Sequence, residues 1–283
     1  MAVNQLFTKS FFQRTVSGIV LVLIALLTII SGGIVLNATL TIVSLIGLTE
    51  LYRIYKIRMT GEAKTIYFVG CIATVVWYIL LGFDKTQYFD ILLIVFLLVL
   101  MSLYVFLFPK IATRQVMAGV FGFLYVCVML SYIYRIRMAE NGAYTVWLVF
   151  LCSWGSDTCA YLAGVTMGKH KMAPVLSPKK SIEGFVGGIV GAALLGWIYA
   201  TVFHSEISMA MNPQIVFPVI CAVGSMISVI GDLAASAIKR KHDIKDYGHL
   251  IPGHGGILDR FDSVIFTAPL IWFLILLFHW IAK

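Results

Sequence analysis

From Gly231 to Asp262 the chain reads GDLAASAIKRKHDIKDYGHLIPGHGGILDRFD, its densest run of acids, bases and glycines. Asp232, Ser236, Lys239 and Asp243 follow one another at intervals of four, three and four, the spacing that aligns side chains along one stripe of a helix. At 1.5 Å per residue, Asp232 lies roughly 10 Å below Lys239, inside a bilayer but near its edge. An ionised carboxylate there costs about 3 kcal/mol or more unless a cation or a water-filled cavity receives it. An ion pair with a neighbouring Lys or Arg would meet that need, and so would a magnesium ion. Downstream, Pro252-Gly253-His254-Gly255-Gly256 combines a stiff entry with residues that tolerate positive φ, so backbone N–H groups can approach an anion unobstructed. A helix starting after it would add its positive end, and Asp259 and Asp262 would share that helix's first turn. Paired hard oxygen ligands beside Lys and Arg suit a magnesium ion that already carries phosphate oxygens.

A second polar stretch holds Gly168-Lys169-His170-Lys171 and Ser177-Pro178-Lys179-Lys180-Ser181-Ile182-Glu183-Gly184. Ser followed by Pro is a good N-cap and N1 pair, so the spacing predicts a helix from Ser177 with two lysines in its first turn. Like charge there opposes the helix dipole, and an incoming phosphate would reverse the penalty. Gly184, Gly187, Gly188, Gly191 and Gly196 then form a close-packing face, within the chain or between protomers. Asp157 sits about 11 residues before Gly168, roughly 16 Å into a core about 30 Å thick, where carboxylates line paths for ions, protons or polar substrates. Glu50, near the end of an apolar run, is expected to snorkel toward Arg53. The five cysteines lie inside apolar stretches without C-x-x-C spacing and read as small core-filling residues.

These residues must be positioned by membrane helices. Of 283 residues 12% are charged and 60% hydrophobic, too few polar side chains to cover a soluble globule, which excludes soluble, disulfide-rich, fibrous and disordered classes. Nine apolar runs are long enough to span, at about 15–36, 38–55, 65–83, 88–108, 116–134, 144–167, 184–203, 214–238 and 263–282. They lack the alternation of a barrel, so the fold class is all-α, a polytopic helical bundle. The first run is too long for a cleavable signal segment. With the N-terminus in the cytoplasm, every basic residue of the 21 except Lys85, Arg135, Arg137 and Lys283 falls on the cytoplasmic side. That asymmetry predicts a cytoplasmic N-terminus and an external C-terminus. Residues 1–143 are expected to be scaffold for dimer and lipid contacts, and 144–283 a catalytic region with two cytoplasmic loops. Absence of an internal repeat gives no support to an inverted-repeat transporter.

The pattern Ser236-Ala-Ile-Lys239-Arg240, then Lys245-Asp246, Gly248, Ile251-Pro252, His254-Gly255-Gly256 and Asp259-Arg260-Phe261-Asp262 resembles the signature of the phosphatidate cytidylyltransferases, or CDP-diacylglycerol synthases. Asp157 with Ala160-Tyr161, Gly168-Lys169, and Ser177 through Ser181 with Glu183-Gly184 resemble further motifs of that family. The resemblance is specific from about Trp147 to Asp262; before that it is one of hydropathy only. It implies a nine-span homodimer of the cell (inner) membrane, using magnesium to make CDP-diacylglycerol and pyrophosphate from CTP and phosphatidic acid, with no nucleic acid partner. Asp232 and Asp259 correspond to the family's metal carboxylates, and Ser181, Ser236, Lys245 and His254 fall within its substrate-binding motifs. Many members have a glutamate where this chain has Ala235, which leaves the full cation shell and any second ion open.

The residues suit that chemistry in their own right. The phosphomonoester of phosphatidic acid is already anionic near neutral pH, so its attack on the α-phosphorus of CTP needs neutralisation and in-line placement more than a base. Magnesium on Asp232 and Asp259, with Asp262 close by, would bridge the nucleotide's phosphates. Lys179, Lys180, Lys239, Arg240 and Arg260 would hold the triphosphate and lipid phosphate, Gly255 and Gly256 would add backbone contacts, and Asp157 would line the cavity. The rival readings are a CTP-dependent lipid kinase, which would release CDP in place of pyrophosphate, and an ion-coupled transporter built on Asp157 and Asp232.

Overall fold

The computed structural model describes residues 2–282 except Ala210, Pro252 and His254, with side chains described from Val16 onward. The chain is a polytopic membrane protein, and among the described residues its regular structure is helical apart from one short hairpin. Helix α1 spans Ala2–Ser31. Among the described residues eight helices are long and apolar enough to cross a bilayer: α2 (Gly33–Ile54), α3 (Lys64–Gly82), α4 (Thr86–Phe106), α5 (Thr113–Met138), α6 (Gly142–Met167), α7 (Ile182–Val202), α8 (Pro213–Lys241) and α9 (Leu258–Ile281). All eight correspond to expected spans. The first break falls earlier than the apolar runs suggest, at Gly32, whose φ of 60° ends α1 where a residue with a Cβ would be strained.

Two compact units divide the chain: Met1–Ser131 with Asp246–Arg260, and Tyr132–Lys245 with Phe261–Lys283. In the first unit Tyr52 is fully buried, and its hydroxyl donates to the Gly119 carbonyl at 2.8 Å. Gly70 and Gly122 leave room for that ring; a Cβ on Gly70 would lie 2.4 Å from the Tyr52 hydroxyl. Trp77 stacks on Phe89 with ring centroids 3.8 Å apart, and Phe123 meets Trp77 edge-on. Apolar burial supplies little drive inside a lipid phase, so van der Waals fit of this kind must hold the helices together.

In the second unit α7 packs on α6 and α8. Its glycines touch α6 directly: a Cβ on Gly187 would lie 2.3 Å from the Ala163 Cβ, and one on Gly191 2.4 Å from the Cys159 Cβ. The small-residue face expected from the sequence therefore serves contacts within the chain. Five residues of α6, Leu151–Gly155, form a π-helical turn that ends two residues before Asp157. Helix α8 begins with Pro213 at its first turn and Asn212 as N-cap, whose side chain accepts from the Gln214 N–H at 2.9 Å. All five cysteines are free, and Cys127, Cys152 and Cys221 are buried.

Candidate active site

Ser177 does not start a helix. Ser177–Ser181 is strand β2, paired antiparallel with β1, Lys171–Ala173, in a register that sets Lys171 opposite Ser181 and Ala173 opposite Ser177. The Ser-Pro signal is overridden because the next residues offer a better start. Ser181 caps α7 by accepting the Gly184 N–H at 3.1 Å. Glu183, in the first turn of α7, accepts from the backbone N–H groups of Lys169 at 3.0 Å and His170 at 3.2 Å. It also contacts the His170 imidazole at 2.6 Å. The lysines thus lie on a braced hairpin and not on a helix turn.

Within the same unit a cavity of about 470 Å³ has an amphipathic wall: Asp157, Lys179 and Lys180 on the polar side of its composition, Tyr161, Phe185 and Val229 on the apolar side. Lys180 is paired with Asp232 of α8, so the hairpin and α8 converge on one ion pair. The ion-pair reading of Asp232 is what the structure displays, with a partner from the other loop. Asp262, only 8% exposed, lies close enough to Asp232, Lys239 and Asp157 to interact electrostatically with all three. Gly231 is what permits this approach: a Cβ there would stand 2.9 Å from the Asp262 carbonyl oxygen and 3.0 Å from the Phe266 ring. Asp243 leaves the expected stripe, because α8 ends at Lys241 and Asp243 turns away with a φ of 53°. Ser236 is half-buried on α8, while Arg240, Lys245 and Arg260 are exposed.

The loop from Asp246 to Leu258 belongs to the other unit and is stapled by two carboxylates. Gly253 and Gly255 hold φ of 77° and 87°, and the Ile251 N–H donates to the Gly255 carbonyl at 2.9 Å. Asp259 Oδ2 accepts from the Tyr247 N–H at 2.7 Å and the Gly256 N–H at 2.9 Å. Asp259 is thus a buried turn-former, in the first turn of α9 as expected. His254 lies outside the described residues.

Glu50 does not snorkel. It is 4% exposed, and its carboxylate accepts from the Ile257 N–H at 3.0 Å and the Leu258 N–H at 2.8 Å, which begin α9. The helix end that the sequence offers to a phosphate is therefore capped by a carboxylate 207 and 208 residues away in the chain. No local motif betrays this pairing; the available hint is an acid inside an apolar run that lacks a partner at helical spacing other than Arg53.

Residues 12–278 match the model of the cytidylyltransferase family. The chain belongs to that family. A phosphatidate cytidylyltransferase of Bacillus subtilis is 31% identical over 279 residues, covering 94% of this chain and 98% of the relative. Those of Staphylococcus aureus and Staphylococcus epidermidis are 31% and 33% identical, each over 91% of this chain and 96% of the relative. The match reaches well into the N-terminal helices, beyond the segment where motifs alone carry the resemblance.

Among the described residues of this cytidylyltransferase, no three or more His, Cys, Asp or Glu side chains form a ready metal cage. Magnesium seldom asks for one: it binds through one or two carboxylates, keeps waters and takes substrate phosphate oxygens. Asp232 and Asp262 are hard oxygen donors already balanced by Lys180 and Lys239, so the donor set fits such an ion.

Proposed function

We propose that the chain transfers CMP from CTP to phosphatidic acid, releasing pyrophosphate and forming CDP-diacylglycerol at the cytoplasmic face of a bacterial cell membrane. The relatives' names and the family match support the reaction. One structural observation carries it to particular residues: the cavity is lined both by apolar side chains and by lysines, one of which is held by Asp232. A site for an amphiphile with a phosphate head needs that combination.

A phosphate oxygen of phosphatidic acid forms the new bond to the α-phosphorus of CTP, and the bond to the bridging oxygen of pyrophosphate breaks, its electron pair leaving with pyrophosphate. The attacking oxygen carries no proton near neutral pH, so no general base is required. Lys179 and Lys180, on the braced hairpin, bind the anionic phosphates and hold attacking oxygen and phosphorus in line. Lys239 offsets the carboxylate of Asp262, as Lys180 does that of Asp232. Magnesium held by Asp232 and Asp262 would supply neutralisation of the nucleotide's phosphate charge, and the family resemblance supports Asp259, in the first turn of α9, as a further metal carboxylate. Asp157 borders the cavity and keeps its polar side wet. Acyl chains pass between helices into the bilayer, and the basic loops draw CTP from the cytoplasm. The distribution of Lys and Arg supports that orientation, and the family resemblance supports a homodimer.

Purified protein given CTP, phosphatidic acid and magnesium should yield CDP-lipid and pyrophosphate in equal amounts. Release of CDP with a newly phosphorylated lipid would replace this reading with a kinase; well-folded protein forming neither product would refute it.

A further inference from the structure

Residues 1–143 contribute no group to the chemistry set out above, yet one of their side chains reaches the signature loop. We propose that Glu50 is a positioning residue for the reaction: from α2 it clamps the start of α9 and so sets the placement of Asp259. The inference rests on the cytidylyltransferase reading, which gives Asp259 its role.

Three observations converge. Glu50 is buried in a membrane helix, where an acid is costly unless its oxygens are satisfied. Both its oxygens are spent on consecutive N–H groups, Ile257 and Leu258, immediately before Asp259. Third, the loop has been shaped around the carboxylate. A Cβ on Gly248 or on Gly256 would lie 2.4 Å from Glu50 Oε1, so a side chain at either position would have to push the carboxylate off its two N–H donors. A carboxylate that merely filled space would not demand two glycines on either side of the turn it caps.

The consequence follows from the hydrogen bonds. Asp259 spends Oδ2 on the Tyr247 and Gly256 N–H groups, and Glu50 holds the next two N–H groups of the same turn. Four backbone donors are thus divided between two carboxylates, and the Asp259 carboxylate cannot reorient without breaking bonds that Glu50 keeps in register. Outer groups of this kind, which orient a ligand-bearing residue, commonly change metal affinity or activity by about 10- to 100-fold when removed.

Glu50→Gln keeps the shape but turns an NH2 group toward one of the two N–H donors. For this variant, reconstituted in phospholipid vesicles, kcat should fall about 10- to 100-fold, and the magnesium concentration for half-maximal rate should rise several-fold. Amide exchange at Ile257 and Leu258 should accelerate by about tenfold or more, while the melting temperature stays within a few degrees of the parent. Gly256→Ala should reproduce the defect, because its Cβ displaces the carboxylate. The pair Glu50→Ala and Gly256→Ala should be clearly less than additive.

An unchanged magnesium response and rate per folded molecule in Glu50→Gln would overturn the proposal. So would failure of both single variants to fold, which would make Glu50 a folding element. If the parent protein forms no CDP-lipid, the cytidylyltransferase reading fails separately; exchange at residues 257 and 258 still reports whether Glu50 clamps the turn.

Discussion

Gly231→Ala tests whether the close approach of α8 and α9 sets the catalytic geometry. The added methyl would meet the Asp262 carbonyl oxygen at 2.9 Å and Phe266 at 3.0 and 3.1 Å, where comfortable contacts begin at 3.4 Å. The obstacle is backbone and a ring anchored at its Cβ, so rotamer changes cannot relieve it and the helices must part by roughly 0.5 Å. Overpacking of this kind costs about 1–3 kcal/mol. Replacing a helical glycine by alanine recovers about 1 kcal/mol, so the net loss of stability is about 0–2 kcal/mol. The rate should suffer more than the stability. A displacement of 1 Å can lower a rate by about 100-fold, so half that distance predicts roughly tenfold between Asp232 and its Asp262 neighbour. CDP-lipid formation per folded molecule, with melting in detergent measured alongside, separates the two effects. Gly224→Ala is the control, since its Cβ would strike the Cys152 thiol at 2.6 Å, about two turns before Asp232 in α8. It should lose stability with less change in rate. A rate for Gly231→Ala within twofold of the parent would refute the argument that this contact places the acids.

Asp232→Asn should reduce turnover by about three orders of magnitude with membrane insertion intact, and a near-parental rate measured with radiolabelled CTP would remove Asp232 from the site. Lys180→Met leaves Asp232 without its paired cation and should lower kcat/KM for phosphatidic acid about 10- to 100-fold; equal kcat/KM in a vesicle assay would show that the pair is incidental. Treatment with EDTA should abolish product formation and added magnesium should restore it, whereas full turnover in chelator would exclude the proposed metal role for Asp232, Asp259 and Asp262.

Much of the site was legible because its determinants are local. The acids and bases from Asp232 to Asp262 lie in one stretch, so spacing alone put Asp259 in the first turn of a helix that also carries Asp262, although Asp262 falls just beyond that turn. Glycines at 253 and 255 announced a backbone that a Cβ would oppose, and both adopt positive φ. Ser177-Pro178 misled because capping statistics describe isolated helices, whereas here strand pairing with Lys171–Ala173 and the Ser181 cap compete for the same residues. Glu50 misled for a different reason. Snorkelling is the escape open to an acid with no polar group deep in the protein to meet it, and the groups that meet Glu50 belong to a loop more than 200 residues away in sequence.

Composition and periodicity by themselves determined that the chain lives in a bilayer as a bundle of helices, because a membrane span must satisfy its own backbone and so writes its length into about 20 consecutive residues. Tertiary structure alone decided how charges are shared: Lys180 with Asp232, Asp262 among Asp157, Asp232 and Lys239, and Glu50 on the first N–H groups of α9. A charge in a low-dielectric interior takes its state from whatever lies within a few ångströms, and that neighbourhood exists only once the helices have packed.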